Sequence, residues 1–354
     1  MRIFVINPGS TSTKFALYED ENIKWKSVVH HSVDELARFS CVMDQLDYRL
    51  EALRRVIAEN DIDMRFDAVI GRGGLLKPTP GGVYAVDEAV AHDLIHAEHQ
   101  HACNLGGLMA ADLAAKVGCP AYIADPEVVD EFIPEARLSG LPELPRISIF
   151  HALNSKAVAR RYARLNGLKY EDLNLIVIHL GGGISVSAHR HGRVIDSNNA
   201  LNGDGPFSPE RAGTLPADAL AQLCFSGRYS LDQIRKMING YGGLTAHLGS
   251  NDVADIARRA AEGEEPYRSV LDSMLYGVSR ETGARAVALK GDIDAIIITG
   301  GIAHSDYCID RLKQWISWIA PISIRAGEDE LGALAMNALA VLTGEMPLRR
   351  YAPA

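Results

Sequence analysis

Short apolar runs alternate along the chain with segments that have the periodicity of amphipathic helices. Apolar runs that end at glycine, proline or small polar residues predict buried strands, and these lie at 2–6, 14–18, 24–30, 66–70, 121–124, 175–180, 184–188, 193–196 and 292–299. Apolar positions spaced three and four residues apart predict helices, which we expect at 46–57, 105–117, 152–166, 269–289 and 330–342. This mixed order of strands and helices is typical of layered α/β domains.

One supersecondary pattern occurs twice. Near the start, a strand breaks at the small-residue turn 7–13 and the chain resumes as a second strand and then a third. Halfway along, another strand breaks at the glycines 181–183 and again continues as two strands. Such a repeat predicts two related domains, which we place at residues 1–148 plus 331–354 and at residues 149–330.

Composition and charge are those of an ordinary globular protein. The chain has 354 residues, of which 47% are hydrophobic and 23% are charged, so wholesale disorder is excluded. Lys plus Arg number 36 and Asp plus Glu number 45, which gives a formal net charge of −9. The chain therefore lacks the basic face that nucleic acid or an anionic membrane requires.

Cysteine usage and the absence of targeting segments indicate the compartment. The five cysteines are scattered and form no C-x-x-C pair, which argues against a disulfide scaffold or a structural zinc site. The apolar run after Met1 and Arg2 is too short for a signal peptide, and no segment approaches the ~18 apolar residues of a membrane span. We expect a soluble cytoplasmic protein.

Several common catalytic signatures are absent from the sequence. It has no G-x-x-x-x-G-K-[ST] loop, no G-x-G-x-x-G fingerprint and no G-x-S-x-G elbow. His92 and His96 approximate an H-E-x-x-H zinc helix, but Asp93 is shorter than the required Glu and a third ligand is lacking. The turns at 7–13 and 181–183 are better candidates, because glycine and serine let backbone N–H groups converge on phosphate oxygens.

Long motifs along the chain occur in the order found in a known family. They are INPGSTSTK from Ile6, GRGGLLKPTPGGVYAVD from Gly71, HACNLG from His101, SGLPELPRISIFHALN from Ser139, HLGGGISVSAHRHGRVIDSNNALNGDGPFSPERAG from His179, ITGGIAHS from Ile298 and GEDEL from Gly327. With these motifs the chain resembles the acetokinase family, within the acetate/sugar kinase and actin-like ATPase superfamily, and most closely its butyrate kinase members. The resemblance implies an α/β fold of two duplicated actin-like ATPase (ribonuclease H-like) domains with an active-site cleft between them, the second domain binding nucleotide.

The resemblance also implies a reaction: reversible, Mg²⁺-dependent phosphoryl transfer between ATP and a short-chain carboxylate, butyrate or a branched-chain acid, giving an acyl phosphate and ADP. A carboxylate is an adequate nucleophile, so catalysis should rest on positioning and on positive charge at the transferring group. The alternatives are an acetate or propionate kinase of the same family, a sugar kinase, or an actin-like ATPase with a conformational output. We expect a homo-oligomer, a dimer or larger, with small-molecule partners and neither nucleic-acid nor membrane partners.

The same resemblance assigns roles to individual residues. The expected catalytic residues are Arg72, Asp125, His151, His179 and Arg211. Arginine binds carboxylate and phosphoryl oxygens at two points and stays protonated, while histidine can donate to a phosphoryl oxygen as charge spreads. The expected substrate-binding residues are Arg72, His101, Asn104 and Phe207.

The nucleotide and metal sites follow in the same way. The expected residues for ATP and ADP are Asn7, Ser10, Ser12, Lys14, Gly181, Gly182, Gly183, Asp252, Gly300, Gly301 and Ile302. Mg²⁺ prefers a few carboxylates together with phosphates and water, and the expected metal ligands are Asn7, Asp125, Asp329 and Glu330. The chain departs from the family pattern at Ala254, where arginine is common, and at Cys103, where serine is usual.

Overall fold

The computed structural model describes residues 1–352 and has an α/β architecture. Its strands are β1 (Arg2–Pro8), β2 (Ser12–Glu19), β3 (Asn22–His30), β4 (Ala68–Arg72), β5 (Val83–Ala85), β6 (Ala121–Ala124), β7 (Asn174–Leu180), β8 (Ile184–Arg190), β9 (Arg193–Ser197), β10 (Ala295–Gly300), β11 (Ile322–Ala326) and β12 (Leu348–Arg349). Its α-helices are α1 (Val33–Leu36), α2 (Leu46–Glu59), α3 (Glu88–Ile95), α4 (Asn104–Val117), α5 (Ala152–Leu165), α6 (Ala217–Cys224), α7 (Leu231–Ile238), α8 (Gly243–Leu248), α9 (Val253–Ala261), α10 (Tyr267–Ala288), α11 (Asp306–Ile316) and α12 (Glu330–Leu342). Within residues 1–352, no helix is long and apolar enough to cross a membrane.

The first compact unit comprises Met1–Asp130 and Asp329–Ala354. Its sheet has the strand order β12-β5-β6-β4-β1-β2-β3. Strand β1 pairs antiparallel with β2 and parallel with β4, which places the turn after β1 and the end of β4 at the same edge of the sheet. Helix α2 packs against this sheet through Leu50, Leu53 and Ile57, the apolar face that the sequence predicts.

Two glycines bring α4 unusually close to β4. A Cβ on Gly71 would lie 2.0 Å from the carbonyl oxygen of Gly106, and a Cβ on Gly106 would lie 2.5 Å from the carbonyl oxygen of Arg72. Only glycine fits at such a close approach of two backbones. The contact holds the start of α4, including Asn104, beside the end of β4.

The second compact unit comprises Glu131–Glu328. Its sheet has the order β11-β10-β7-β8-β9, with β7 antiparallel to β8 and parallel to β10. A large apolar core between this sheet and helices α9, α10 and α11 includes Ile178, Ile298 and Leu312. A smaller core includes Ala159 of α5 and Val177 of β7.

The two sheets share one arrangement. Consecutive strands pair antiparallel, and the first of them also pairs with a parallel strand on its other side, β4 beside β1 in the first sheet and β10 beside β7 in the second. The predicted α/β class is confirmed. The compact units group residues 131–148 with the second unit and residues 329–330 with the first, whereas the sequence-based division places them the other way. Glu131 forms a buried ion pair of 2.9 Å with Lys156, and Arg146 donates to Asp196 at 2.9 Å.

Candidate functional site

The turn between β1 and β2 carries the first group of predicted phosphate ligands. Its backbone is tightened by a hydrogen bond of 2.7 Å from the Gly9 amide to the Ser12 carbonyl. Ser10 is exposed, Ser12 is half-buried, and Lys14 projects from an exposed position of β2. Asn7 is buried in β1 just before the turn. The turn therefore presents polar side chains and accessible backbone, as a phosphate-binding turn requires.

Arg72 ends β4 and lies between two carboxylates. Its Nε donates to Glu127 at 2.7 Å, and its Nη1 donates to Glu330. Burial by itself lowers the pKa of Arg72, but the charges of Glu127 and Glu330 outweigh that effect and raise it above its usual range. Arg72 is thus a permanently charged group that already holds carboxylates by charge-assisted hydrogen bonds.

The predicted acid-binding residues His101 and Asn104 lie at the start of α4. Asn104 is buried, and its Oδ1 accepts from the Leu75 amide at 2.9 Å while its Nδ2 donates to the Leu94 carbonyl at 3.3 Å. His101 Nδ1 lies 3.0 Å from the sulfur of Cys103. Asn104 therefore links the backbone of Leu75 to the end of helix α3 at Leu94.

Cys103 is a buried side chain that contacts both His101 and Asn104. Burial raises the pKa of the Cys103 thiol well above its usual value, and the nearby Glu127 carboxylate acts in the same direction. The thiol is therefore neutral in this environment. Glu127 follows the predicted Asp125 by two positions, and only the folded structure reveals its contact with Arg72.

Asp125 has an unusual backbone conformation at the end of β6. Its φ of 38° lies in the left-handed region, which costs a residue other than glycine about 1 kcal/mol. The Asp125 carboxylate accepts from the Gly82 amide at 2.8 Å, and the Asp125 amide donates to the Gly82 carbonyl at 2.9 Å. These reciprocal bonds hold the strained residue in place.

The predicted metal ligands of the first unit are oxygen-bearing side chains. Asn7 Nδ2 donates to Glu330 Oε2 at 2.8 Å, so these two groups are adjacent. Asp329 caps α12 by accepting from the Gly332 amide at 2.9 Å. Within residues 1–352, no cluster of three or more His, Cys, Asp or Glu side chains has the arrangement of a metal site. The donor set fits Mg²⁺ that is bound through one or two carboxylates and the phosphates of a nucleotide.

The glycine turn 181–183 of the second unit lies against Arg211. A Cβ on Gly183 would lie 1.7 Å from Arg211 Nη1, so glycine is needed for the guanidinium to pass. Arg211 Nη1 donates to the carbonyl of Ala200. Its Nε is buried and has no hydrogen-bond partner within residues 1–352. Burial lowers the pKa of Arg211, with Glu210 opposing that shift.

The two predicted catalytic histidines are stacked on each other. The rings of His151 and His179 are 3.7 Å apart at their centroids and inclined by 14°. Asn154 Nδ2 lies 2.7 Å from His179 Nδ1, and because an amide nitrogen only donates, this ring nitrogen is the acceptor. The proton is therefore on His179 Nε2, which lies 3.0 Å from Glu328. Asn154 and Glu328 belong to motifs that the sequence singles out, yet sequence reasoning missed both.

A cavity of about 720 Å³ lies in the second unit. Of the predicted nucleotide ligands, those that line it are Gly181, Gly182, Asp252, Gly301 and Ile302. Gly183 and Gly300 lie outside this lining, and Gly300 adopts a φ of 91° that only glycine takes readily. Asp252 caps α9 by accepting from the amides of Ala254 and Asp255.

The cavity wall also contains residues that were not among the predicted nucleotide ligands. Ala254 lines it where the family commonly has arginine, and Arg258 and Tyr307 are further wall residues. Arg258 is engaged with Asp255 at 2.7 Å, and Tyr307 donates to Asp272 at 2.8 Å. Both Ala254 and Arg258 belong to the amphipathic helix α9. They lie about one helical turn apart, so a helix predicted there would have placed Arg258 on the same face as Ala254.

The predicted site residues therefore form two groups, one in each compact unit. The first unit holds the β1–β2 turn with Arg72, His101, Asn104, Asp125, Asp329 and Glu330. The second unit holds the glycine turn, both stacked histidines, Arg211, the residues of the cavity and Phe207. Phe207, predicted to bind the acid, lies with its ring centroid 5.9 Å from that of His247.

Comparisons with known proteins identify the family of the chain. A sequence model of the acetokinase family matches residues 146–314. The chain is 64% identical to a protein of Phocaeicola vulgatus named "Probable butyrate kinase", over 100% of both chains, and 54% identical to one of the same name from Bacteroides thetaiotaomicron, over 99% and 100%. The acetate kinase structure of Porphyromonas gingivalis has a TM-score of 0.79 at 17% identity, covering 96% of this chain and 99% of that one. That structural likeness shows the fold.

Proposed function

The chain belongs to the acetokinase family, and we propose that it is a butyrate kinase, which reversibly transfers the terminal phosphoryl group of ATP to a short-chain carboxylate. The observation that supports the proposal is the pair of carboxylate contacts made by Arg72. This charged guanidinium already binds two carboxylates of its own chain, Glu127 and Glu330. A carboxylate is also the reacting group of the proposed substrate. The 64% identity to a relative named for butyrate supports the choice of acid.

In the proposed reaction, the acid replaces Glu127 as the partner of Arg72. One carboxylate oxygen attacks the terminal phosphorus of ATP, the new C–O–P linkage forms, and the bond to the bridging oxygen of ADP breaks. No proton has to be removed from the acid, which reacts in its ionised form. The site therefore needs orientation and positive charge more than a base.

The second unit supplies charge stabilisation for the transferring group. The unpartnered Nε of Arg211 is a donor available to a phosphoryl oxygen, and a buried guanidinium acts strongly on developing negative charge. The proton on His179 Nε2, held in that tautomer by Asn154, provides a second donor when a phosphoryl oxygen replaces Glu328 as its partner. The nucleotide occupies the 720 Å³ cavity, with its phosphates at the glycine turn.

Mg²⁺ is part of this proposal. Asn7, Asp125, Asp329 and Glu330 provide the oxygen atoms that would hold it. When bound, the ion neutralises phosphate charge and so lowers the repulsion between nucleotide and acid. We further propose that the enzyme acts in the cytoplasm, where its nucleotide is available, and that it assembles as a homo-oligomer, which light scattering of the purified protein tests.

Trapping the product with hydroxylamine tests the proposed reaction. The purified protein is incubated with ATP, Mg²⁺ and one acid of the series acetate, propionate, butyrate, isobutyrate and isovalerate, and the hydroxamate is measured. We expect the highest kcat/KM with butyrate or a branched acid. A pocket discriminates one methylene by ~1–3 kcal/mol, so a clear optimum is measurable. An optimum at acetate or propionate would make the chain a kinase for that acid, and absence of hydroxamate with every acid would overturn the proposal.

A further inference from the structure

One buried arginine lies directly behind the β1–β2 turn. Arg49 belongs to α2, and its side chain is fully buried. Its Nη1 donates to the carbonyl oxygens of Gly9 at 3.0 Å and Ser12 at 3.3 Å, and its Nη2 donates to that of Ser10 at 3.0 Å. The side chain of Arg49 thus binds three carbonyl groups of the same turn.

The remaining partners of Arg49 are also neutral. Its Nη1 donates to the hydroxyl of Thr13 at 2.9 Å, and its Nη2 donates to the side-chain oxygen of Gln45 at 2.9 Å. In the part of the chain that the structure describes, Arg49 forms no salt bridge. A buried charge is normally paired with an opposite one, because removing it from water is costly. The surroundings of Arg49 supply hydrogen bonds but no counter-charge.

The carbonyl contacts of Arg49 determine where the amides of the turn point. In a trans peptide, the C=O and the following N–H point in opposite directions. The carbonyls of Gly9 and Ser10 face Arg49, so the amides of Ser10 and Thr11 face away from it. Both residues are exposed, and within residues 1–352 neither amide donates to a protein atom. The turn thus presents two free donors on the side opposite the guanidinium.

We propose that Arg49 is a positioning residue for phosphate binding, which fixes the turn so that the Ser10 and Thr11 amides meet the terminal phosphate of ATP. This inference rests on the proposed function. Hydrogen bonds from Arg49 polarise the peptide groups and strengthen their N–H groups as donors. An anion bound to those amides in turn provides the opposite charge that the protein itself does not place beside Arg49.

Kinetics of Arg49 variants test the proposal. Arg49→Lys keeps one positive charge but cannot reach all the acceptors, and Arg49→Met removes the charge at similar length. We expect kcat to fall at least tenfold in Arg49→Lys and further in Arg49→Met. The KM for the acid, which Arg72 holds, changes less than twofold. Arg54→Lys and Arg54→Met on the exposed face of the same helix are matched controls and keep wild-type kinetics.

Hydrogen exchange of the wild-type protein provides an independent measurement that needs no variant. ATP should slow exchange of the Ser10 and Thr11 amides at least tenfold, whereas ADP, which lacks the terminal phosphate, should leave them unchanged. Equal exchange with both nucleotides would overturn the inference. A folded Arg49→Lys variant with wild-type kcat would also overturn the inference, whether or not its thermal stability was lowered.

The same experiments separate this inference from the proposed function. If the wild-type protein forms no acyl phosphate with any acid, the proposed function fails whatever Arg49 does. If it forms acyl phosphate normally, but ATP leaves the Ser10 and Thr11 amides unprotected, only the role of Arg49 fails.

Discussion

Among the residues that the structure describes, the Nε of Arg211 finds no hydrogen-bond partner, and this makes Arg211 the most direct single-residue test of catalysis. We predict that Arg211→Ala lowers kcat by roughly 10³-fold, the scale observed when a cation is removed from a transferring phosphoryl group. Folding should survive, because the lost contacts are the bond to the Ala200 carbonyl and packing on Gly183. Steady-state kinetics and circular dichroism measure the two effects.

An exposed arginine of the same unit, replaced as Arg228→Ala, is the control for Arg211→Ala. It should keep wild-type turnover. Near-normal turnover in folded Arg211→Ala would remove Arg211 from the mechanism.

In the proposed reaction, Glu127 competes with the acid for Arg72. Its Oε1 accepts from Arg72 Nε at 2.7 Å, so an acid that binds the guanidinium must displace it or lie beside a like charge. We predict that Glu127→Gln lowers the KM for butyrate about three- to tenfold while changing kcat less than twofold. Initial rates at varied butyrate and saturating ATP measure this. A higher KM would mean that Glu127 orients Arg72 for the acid.

At the residue scale, the sequence predicted charged groups better than their partners. Arg72 and Arg211 stand in recognisable motifs, and the structure places Arg72 between Glu127 and Glu330 and Arg211 against Gly183. Glu127, Glu328 and Arg49 acquire their significance from contacts with residues far away in the chain. No periodicity or motif reports such contacts, so these partners required the folded structure.

At the scale of elements, the close contact between β4 and α4 positions the residues that we propose bind the acid. We predict that Gly106→Ala destabilises the protein by about 3 kcal/mol, because its Cβ would lie 2.5 Å from backbone that cannot move aside. Gly283→Ala in α10 is the control, since nothing lies within 4 Å of its Cβ. That substitution should stabilise the helix by about 0.5–1 kcal/mol. Urea unfolding midpoints measure both, and an unchanged midpoint in Gly106→Ala would contradict the packing argument.

A buried histidine lies at the contact between α2 and the start of β2. His31 Nε2 lies 2.8 Å from the hydroxyl of Thr13, and its Nδ1 lies 3.2 Å from the hydroxyl of Tyr48. Burial lowers the pKa of His31 to about 4, and the charge of Arg49 acts in the same direction. Neutral His31 therefore belongs to the hydrogen-bonded network behind the turn.

Protonation of His31 is expected to destabilise this network. The folded pKa of about 4 is below the unfolded value of 6.5, so the unfolded chain binds the proton first, and stability is lost as pH falls from about 6.5 towards 4. The other charged groups near His31 are Arg49, Glu35, His30 and Arg55. We predict that His31→Gln reduces the fall in Tm between pH 7 and pH 4.5. Identical pH profiles for variant and wild type would contradict this role.

Long elements with clear periodicity were predictable, and short ones were not. Strands β1, β7 and β8 and helices α2 and α12 lie where the pattern indicates. The pattern missed the short helices α6, α7 and α8 and the strands β5, β11 and β12, of which β11 and β12 lie at sheet edges. Their few residues carry too little periodic signal, and tertiary contacts decide their conformation.

For the whole molecule, the repeated strand pattern indicated two related units, and the structure contains two sheets of like topology. The segment 131–148 shows the limit of that reasoning. It has no strong periodicity, and the buried pair of Glu131 with Lys156 groups it with the second unit. The contact between Glu131 and Lys156 joins residues distant in the chain, so the local sequence of the segment 131–148 does not indicate it.

The central claim is that a carboxylate oxygen attacks the phosphorus of ATP directly. Butyrate labelled with ¹⁸O in both carboxylate positions tests it when the acyl phosphate is cleaved by hydroxylamine, which attacks the carbonyl carbon and releases phosphate with the bridging oxygen. Mass spectrometry should then find one ¹⁸O in the released phosphate. Unlabelled phosphate accompanying ATP consumption would show that water was the acceptor and would contradict the account.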